Sequence, residues 1–79
     1  MNEYQVGDYV YCKFIFFHDI YEFIAKITRV HPRENSYDMY IYEVDIIKSY
    51  SDGNEILDIV RDEEIVKKLE GCELIAYLL

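Results

Sequence analysis

Apolar and polar side chains alternate with a period of two along most of this chain. After a turn-like Val6-Gly7-Asp8, Val10, Cys12, Phe14 and Phe16 fall on one face, with Tyr9, Tyr11, Lys13 and Ile15 on the other. A strictly apolar face at that period predicts a half-buried strand. A short polar turn at His18-Asp19 leads into a second strand from about Tyr21 to Val30. There Phe23, Ala25 and Ile27 face one way, and Glu22, Lys26 and Thr28 mostly the other. The segment from His31-Pro32 to Asn35-Ser36 reads as a loop, because proline cannot donate to a ladder and Asn-Ser suits a turn. A third strand is expected from Tyr37 to about Ile47. Tyr40, Tyr42, Val44 and Ile46 oppose Met39, Ile41, Glu43 and Asp45 on it, so both faces are partly apolar.

Ser51-Asp52-Gly53-Asn54 is a turn, with Asp-Gly tolerating positive φ, and a fourth strand follows from Glu55 to Arg61. The period then changes. Asp62 is placed to cap a helix, Glu63 and Glu64 suit its positive end, and Lys67 and Lys68 suit its far end. Ile65 and Leu69 are four apart, and Gly71 is placed to stop the helix. Cys72 to Leu78 alternates again, with Leu74, Ala76 and Leu78 on one side. The expected fold is therefore mainly β: a small, five-stranded, partly open barrel with one short helix before the last strand, forming a single domain over residues 1–79.

Size and charge narrow the class. A 79-residue chain buries only about 60–65% of its unfolded surface, so stability is modest and self-association would help. The composition is nevertheless globular, at 52% hydrophobic residues. Nine tyrosines and four phenylalanines are more than so small a domain can hide, and excess aromatic surface marks interfaces. Tyrosine is also a good strand residue with a wettable hydroxyl, which accounts for part of the excess. The net charge is −8, sixteen acids against eight bases. Clamping a phosphate backbone requires the opposite balance, so direct nucleic-acid binding is disfavoured. A basic protein surface is electrostatically matched, although acidic charge also simply maintains solubility. Met1-Asn2-Glu3-Tyr4 lacks a positive leader, and the longest apolar run, Phe14–Phe17, is far short of a ~20-residue span. A cytoplasmic location with reduced thiols is the expectation.

The residues Val6-Gly7-Asp8-Tyr9-Val10, Glu22-Phe23-Ile24-Ala25-Lys26-Ile27, the Tyr-rich third strand and Asp62-Glu63-Glu64-Ile65 together resemble the small Src-homology-3-type barrels, in particular the Tudor-like and KOW-like branch. The resemblance spans about residues 6–78 and implies topology rather than function. Tudor-like domains hold a methylated cation between ring faces beside an acidic group. The aromatic residues that would form such a pocket here are Phe16, Phe17, Tyr21 and Tyr42, although the third strand lacks that family's glycine-containing end. KOW-like domains are usually basic, and this chain departs from them in that respect.

Catalytic chemistry is not signalled. Cys12 and Cys72 lie on apolar strand faces, where inert cysteines sit. Contact between them follows only if the first and last strands adjoin, as in such barrels. His18 and His31 read as solvated loop residues, and the glycines at 7, 53 and 71 are too scattered to cradle phosphate. No metal site or cofactor is expected. The remaining signal is acidic: between Asp52 and Glu73, eight acids face three bases. Part of that excess is a solvated, helix-capping face. Asp58, Asp62, Glu63 and Glu64 are the candidate partner-binding residues.

Usage rich in Ile, Glu and Tyr, with Lys and Asn present, is similar in style to small phage and mobile-element proteins of AT-rich bacteria. That resemblance implies a non-enzymatic inhibitor or regulator of host or defence machinery, CRISPR–Cas or restriction nucleases included, through an acidic surface that occupies a basic, nucleic-acid-binding site. The first alternative is a Tudor-like binder of a small ligand or modified peptide. The second is a structural homo-oligomer, in its simplest form a homodimer, using the third strand or the apolar C-terminus Leu74–Leu79.

Overall fold

The computed structural model describes residues 4–32, 40–50 and 58–79. Its strands are β1 (Tyr9–Phe16), β2 (Asp19–Pro32), β3 (Tyr40–Ser49), β4 (Ile59–Arg61) and β5 (Ile65–Leu69). They form one antiparallel sheet in the order β4-β3-β2-β1-β5, which does not close. A single 3-10 turn, Asp62–Glu64, joins β4 to β5, and the chain ends in an eight-residue helix, α1 (Gly71–Leu78). The fold class is therefore mainly β, five-stranded and open, with a one-turn helix before the last strand. The turn expected at residues 51–54, residues 33–36 of the expected loop, and the first residues of the third and fourth strands lie outside the described residues.

The alternation in β1 and β2 performs as the pattern predicts. Val10 and Cys12 are buried on one face, and Ala25 and Phe23 stand opposite them across the β1–β2 ladder. With Tyr21, Ile27, Tyr42, Val44, Val60 and Ile65 they make one core, against which Phe14, Val30 and Ile46 pack. One sheet can enclose this core because three irregularities curl it. The register slips between Ile27 and Arg29 and between Ile24 and Ala25 on the β2–β3 ladder, and between Tyr11 and Cys12 on β1–β5. Each slip leaves an extra residue (Thr28, Ile47 and Val66), and such bulges increase local twist and bend. The Thr28 bulge also reverses the parity of β2, so that Val30 rejoins the core beside Tyr42.

Two C-terminal elements are exchanged relative to the sequence expectation. Residues 65–69, expected as helix, are β5, and Cys72–Leu78, expected as strand, is α1. The helical-looking spacing of Ile65 and Leu69 has a different origin. The Val66 bulge places them on opposite faces, Ile65 beside Cys12 and Leu69 beside Tyr9, and both are buried. Such two-sided burial needs a second layer, which α1 provides. Gly71 does not stop a helix. Its φ of 55°, open to glycine at little cost, turns the chain out of β5 and into α1.

α1 lies across the outer face of the sheet. Lys67, Tyr11, Ile24 and Lys48 are successive neighbours in one row across β5, β1, β2 and β3. Tyr77 touches three of them. Its ring lies 5.4 Å from that of Tyr11 and beneath the Lys67 ammonium, and its carbonyl accepts from Lys48 Nζ at 3.3 Å. Ile24, the fourth, is completely buried under this contact. Lys48 also donates to the Leu79 carbonyl and the Tyr50 hydroxyl donates to the Tyr77 carbonyl, which satisfies carbonyls a helix leaves unpaired at its negative end. His31 and Pro32, expected in a loop, continue β2.

Candidate functional site

The β1–β2 turn is centred one residue earlier than expected. Phe16 pairs with Asp19, so Phe17 and His18 are its two central residues, with φ of 50° and 69°. A two-residue hairpin loop with both φ positive is the type I′ geometry, which ordinarily selects Asn-Gly. Here the tip displays aromatic residues instead. Phe17 is 81% exposed, its ring edge-on to that of Phe16 at 4.4 Å. Ile15 and Ile20 pair directly below, and both are exposed.

The four pocket candidates are not brought together. Tyr21 is buried and stacks on Phe14 at 5.3 Å. Tyr42 is fully buried, with Tyr4 edge-on at 5.6 Å. It pairs with Val30, nine residues from Tyr21 along β2, a path of about 30 Å. Phe16 and Phe17 remain outside at the hairpin tip. Burial separates the four, a property that adjacency in sequence could not report.

The acidic candidates divide by role. Asp62 does not cap the turn; it is the first residue of the 3-10 turn, and its carboxylate accepts a 2.8 Å hydrogen bond from the Tyr42 hydroxyl. Glu64 accepts from the Arg61 backbone amide at 2.8 Å, which closes the turn. Asp58 and Glu63 are exposed. The Asp58 carbonyl accepts from the Val44 amide at 2.8 Å, so its backbone is fixed against β3. All four carboxylates thus belong to one short, hydrogen-bonded edge. Farther along, the acids are neutralised locally: Lys67 pairs with Glu73 at 2.9 Å and Lys68 with Glu70 at 3.0 Å, which raises both lysine pKa values. Asp52 and Glu55 lie outside the described residues.

The cysteines are not joined. Cys12 is buried in the core, with its thiol pKa pushed up to about 12 by burial and, secondarily, by the charge of Glu64. A thiol held protonated in this way is unreactive. Cys72 is exposed on α1. Tyr11 donates to the Glu22 carboxylate, and that bond, reinforced by burial, pushes its pKa up to about 12. His31 is not a solvated loop residue. It sits on β2 and contacts the Glu43 carboxylate, with Arg29 3.7 Å from the same carboxylate. The His31 hydrogen bond, aided by Arg29, lowers the Glu43 pKa. A group with a depressed folded-state pKa stabilises the fold above its unfolded value and ceases to do so as pH falls through the folded one. The urea midpoint is therefore expected to fall as pH drops below about 4.3, and Glu43→Gln should flatten that part of the profile; an unchanged acid limb would contradict the pairing.

Among the described residues no group of three or more His, Cys, Asp or Glu is arranged to hold a metal ion, and no helix is long and apolar enough to cross a membrane. Comparison of the chain with protein-family models, with curated proteins and with solved structures gives no match in any of the three.

Proposed function

We propose that this chain is a non-enzymatic protein-binding module that inhibits or regulates nucleic-acid-handling machinery, as small phage proteins do, by docking an acidic edge on a basic site. The observation that carries the reading is the β4–3-10 edge. Asp58 and Glu63 are exposed there, while Asp62 and Glu64 are held by Tyr42 and Arg61. Carboxylates fixed on a hydrogen-bonded edge lose little freedom on binding. On a chain of net charge −8 they steer association toward positive surfaces. The Src-homology-3-type reading is supported by the adjacency of the first and last strands and by the one-turn helix before the latter. The aromatic-pocket alternative is left with Phe16 and Phe17, because Tyr21 and Tyr42 belong to the core.

The test is a tagged pull-down from bacterial lysate with and without nuclease, followed by binding of the purified partner. A stoichiometric protein partner that survives nuclease is expected, with affinity falling as salt rises. Reversing the two exposed acids, Asp58→Lys with Glu63→Lys, should weaken binding roughly tenfold or more at low salt, beyond any loss that the melting temperature, measured alongside, accounts for. Binding indifferent to both reversals and to salt would remove the acidic-edge mechanism.

A further inference from the structure

We propose that the tip of the β1–β2 hairpin is a docking anchor that inserts Phe17, flanked by Phe16, Ile15 and Ile20, into an apolar pocket with a basic rim on a partner protein. The tip is at the Asp19 end of β2, whereas β4 adjoins β3 residues that pair with Arg29–His31 at the other end. It is therefore a second surface, independent of the acidic edge.

Three observations converge on the tip. The first is conformational: Phe17 and His18 occupy left-handed backbone at the centre of the turn, where a bulky side chain is unfavourable and Asn-Gly is preferred. Residues held against local preference concentrate where structure serves binding. The second is exposure. Ile15, Phe16, Phe17 and Ile20 are each more than half exposed; Ile15 and Ile20 pair on one face of the hairpin, and Phe16, on the other face, meets the Phe17 ring at the tip. The end of the hairpin is thus apolar on both faces and at its tip, roughly 500 Å² in all, a shape suited to insertion into a pocket rather than to a flat contact. Centrally placed aromatics filling a pocket dominate binding energies.

The third observation selects the occupant. Self-association through the tip would bring together two chains of charge −8, which like-charge repulsion opposes. The same charge repels an anionic bilayer. A protruding tip carrying the exposed Asp19 carboxylate, on an acidic body, complements a concave apolar site edged with lysine or arginine.

The experiment uses the full chain. Phe17→Asn with His18→Gly installs the preferred turn dipeptide and is expected to raise the melting temperature by roughly 5 °C; Phe17→Ser alone serves as a second variant. Benzoylphenylalanine placed at position 17 is photo-crosslinked in lysate, and the protein captured is purified and titrated. The expected result is an affinity at least roughly 30-fold weaker for both variants, with the double variant melting higher than the parent. The proposal is overturned by an adduct formed only with a second copy or not at all, by the parent chain binding phosphatidylcholine vesicles through the tip, by affinities within about twofold of the parent, or by a lowered melting temperature for the double variant.

Discussion

Tyr42→Ala is expected to remove a large share of the domain's stability, about 3–5 kcal/mol. The ring is completely buried, lies edge-on to Tyr4, and sits where β3 lies between β2 and β4. Truncating a buried aromatic costs about 3–5 kcal/mol, part transfer and part cavity. A chain of this length has only about 4–12 kcal/mol in total. Tyr42→Phe keeps the ring and removes the donor to Asp62; because that carboxylate is half-exposed, water recovers part of the loss, and about 1–2 kcal/mol is expected. Urea unfolding of the two variants measures both figures. An alanine variant that unfolds close to the parent midpoint would contradict the burial of Tyr42. Loss of binding in Tyr42→Ala would therefore report lost stability rather than a ligand pocket.

Ile24→Asp is expected to destabilise by about 3 kcal/mol or more, because it removes a buried side chain and leaves a carboxylate beneath α1. The two-residue period of β2 assigns this position to the same face as Glu22 and Lys26, where an acid would be innocuous. In the folded protein Tyr77 bridges over it to Tyr11, Lys67 and Lys48. Ending the chain after Glu70 removes that cover, so the same substitution in the shortened chain should cost far less. The difference between the two measurements is the coupling between Ile24 and α1. Equal costs with and without residues 71–79 would mean that α1 does not cover the sheet.

Where the sequence is legible, one physical signal is sufficient. β1 and the first half of β2 alternate over a shared core face, so the two-residue period alone assigns Val10, Cys12, Phe23, Ala25 and Ile27 to the core, whereas Ile24, buried on the other face, escapes it. Legibility fails where burial is two-sided or a bulge changes the parity. Ile65 and Leu69 mimic a helical pair because β5 is covered on both sides and bulged at Val66. Leu74 to Leu78 can be read at either period, and a short apolar run does not distinguish helix from strand. The turn is displaced by one residue because polarity favours His18-Asp19, whereas strand pairing places Phe17-His18 at its centre. Among the candidate site residues, Asp58 and Glu63 need only charge to be found. The Glu64 contact is local, three residues from Arg61, but the duty of Asp62 depends on Tyr42, 20 residues away, and the separation of the four aromatics on strand register, neither of which leaves a local trace.

By itself the sequence determined that the chain is acidic, rich in aromatics and strand-forming, because composition and two-residue alternation act locally and survive any arrangement of the strands. Only the tertiary structure decided which aromatics are core and which are displayed, since that choice depends on register, on three one-residue bulges and on where the last eight-residue helix comes to rest. Those features arise from packing between segments distant in the chain. Packing buried Tyr21 and Tyr42 and left Phe17 at the tip of the first hairpin.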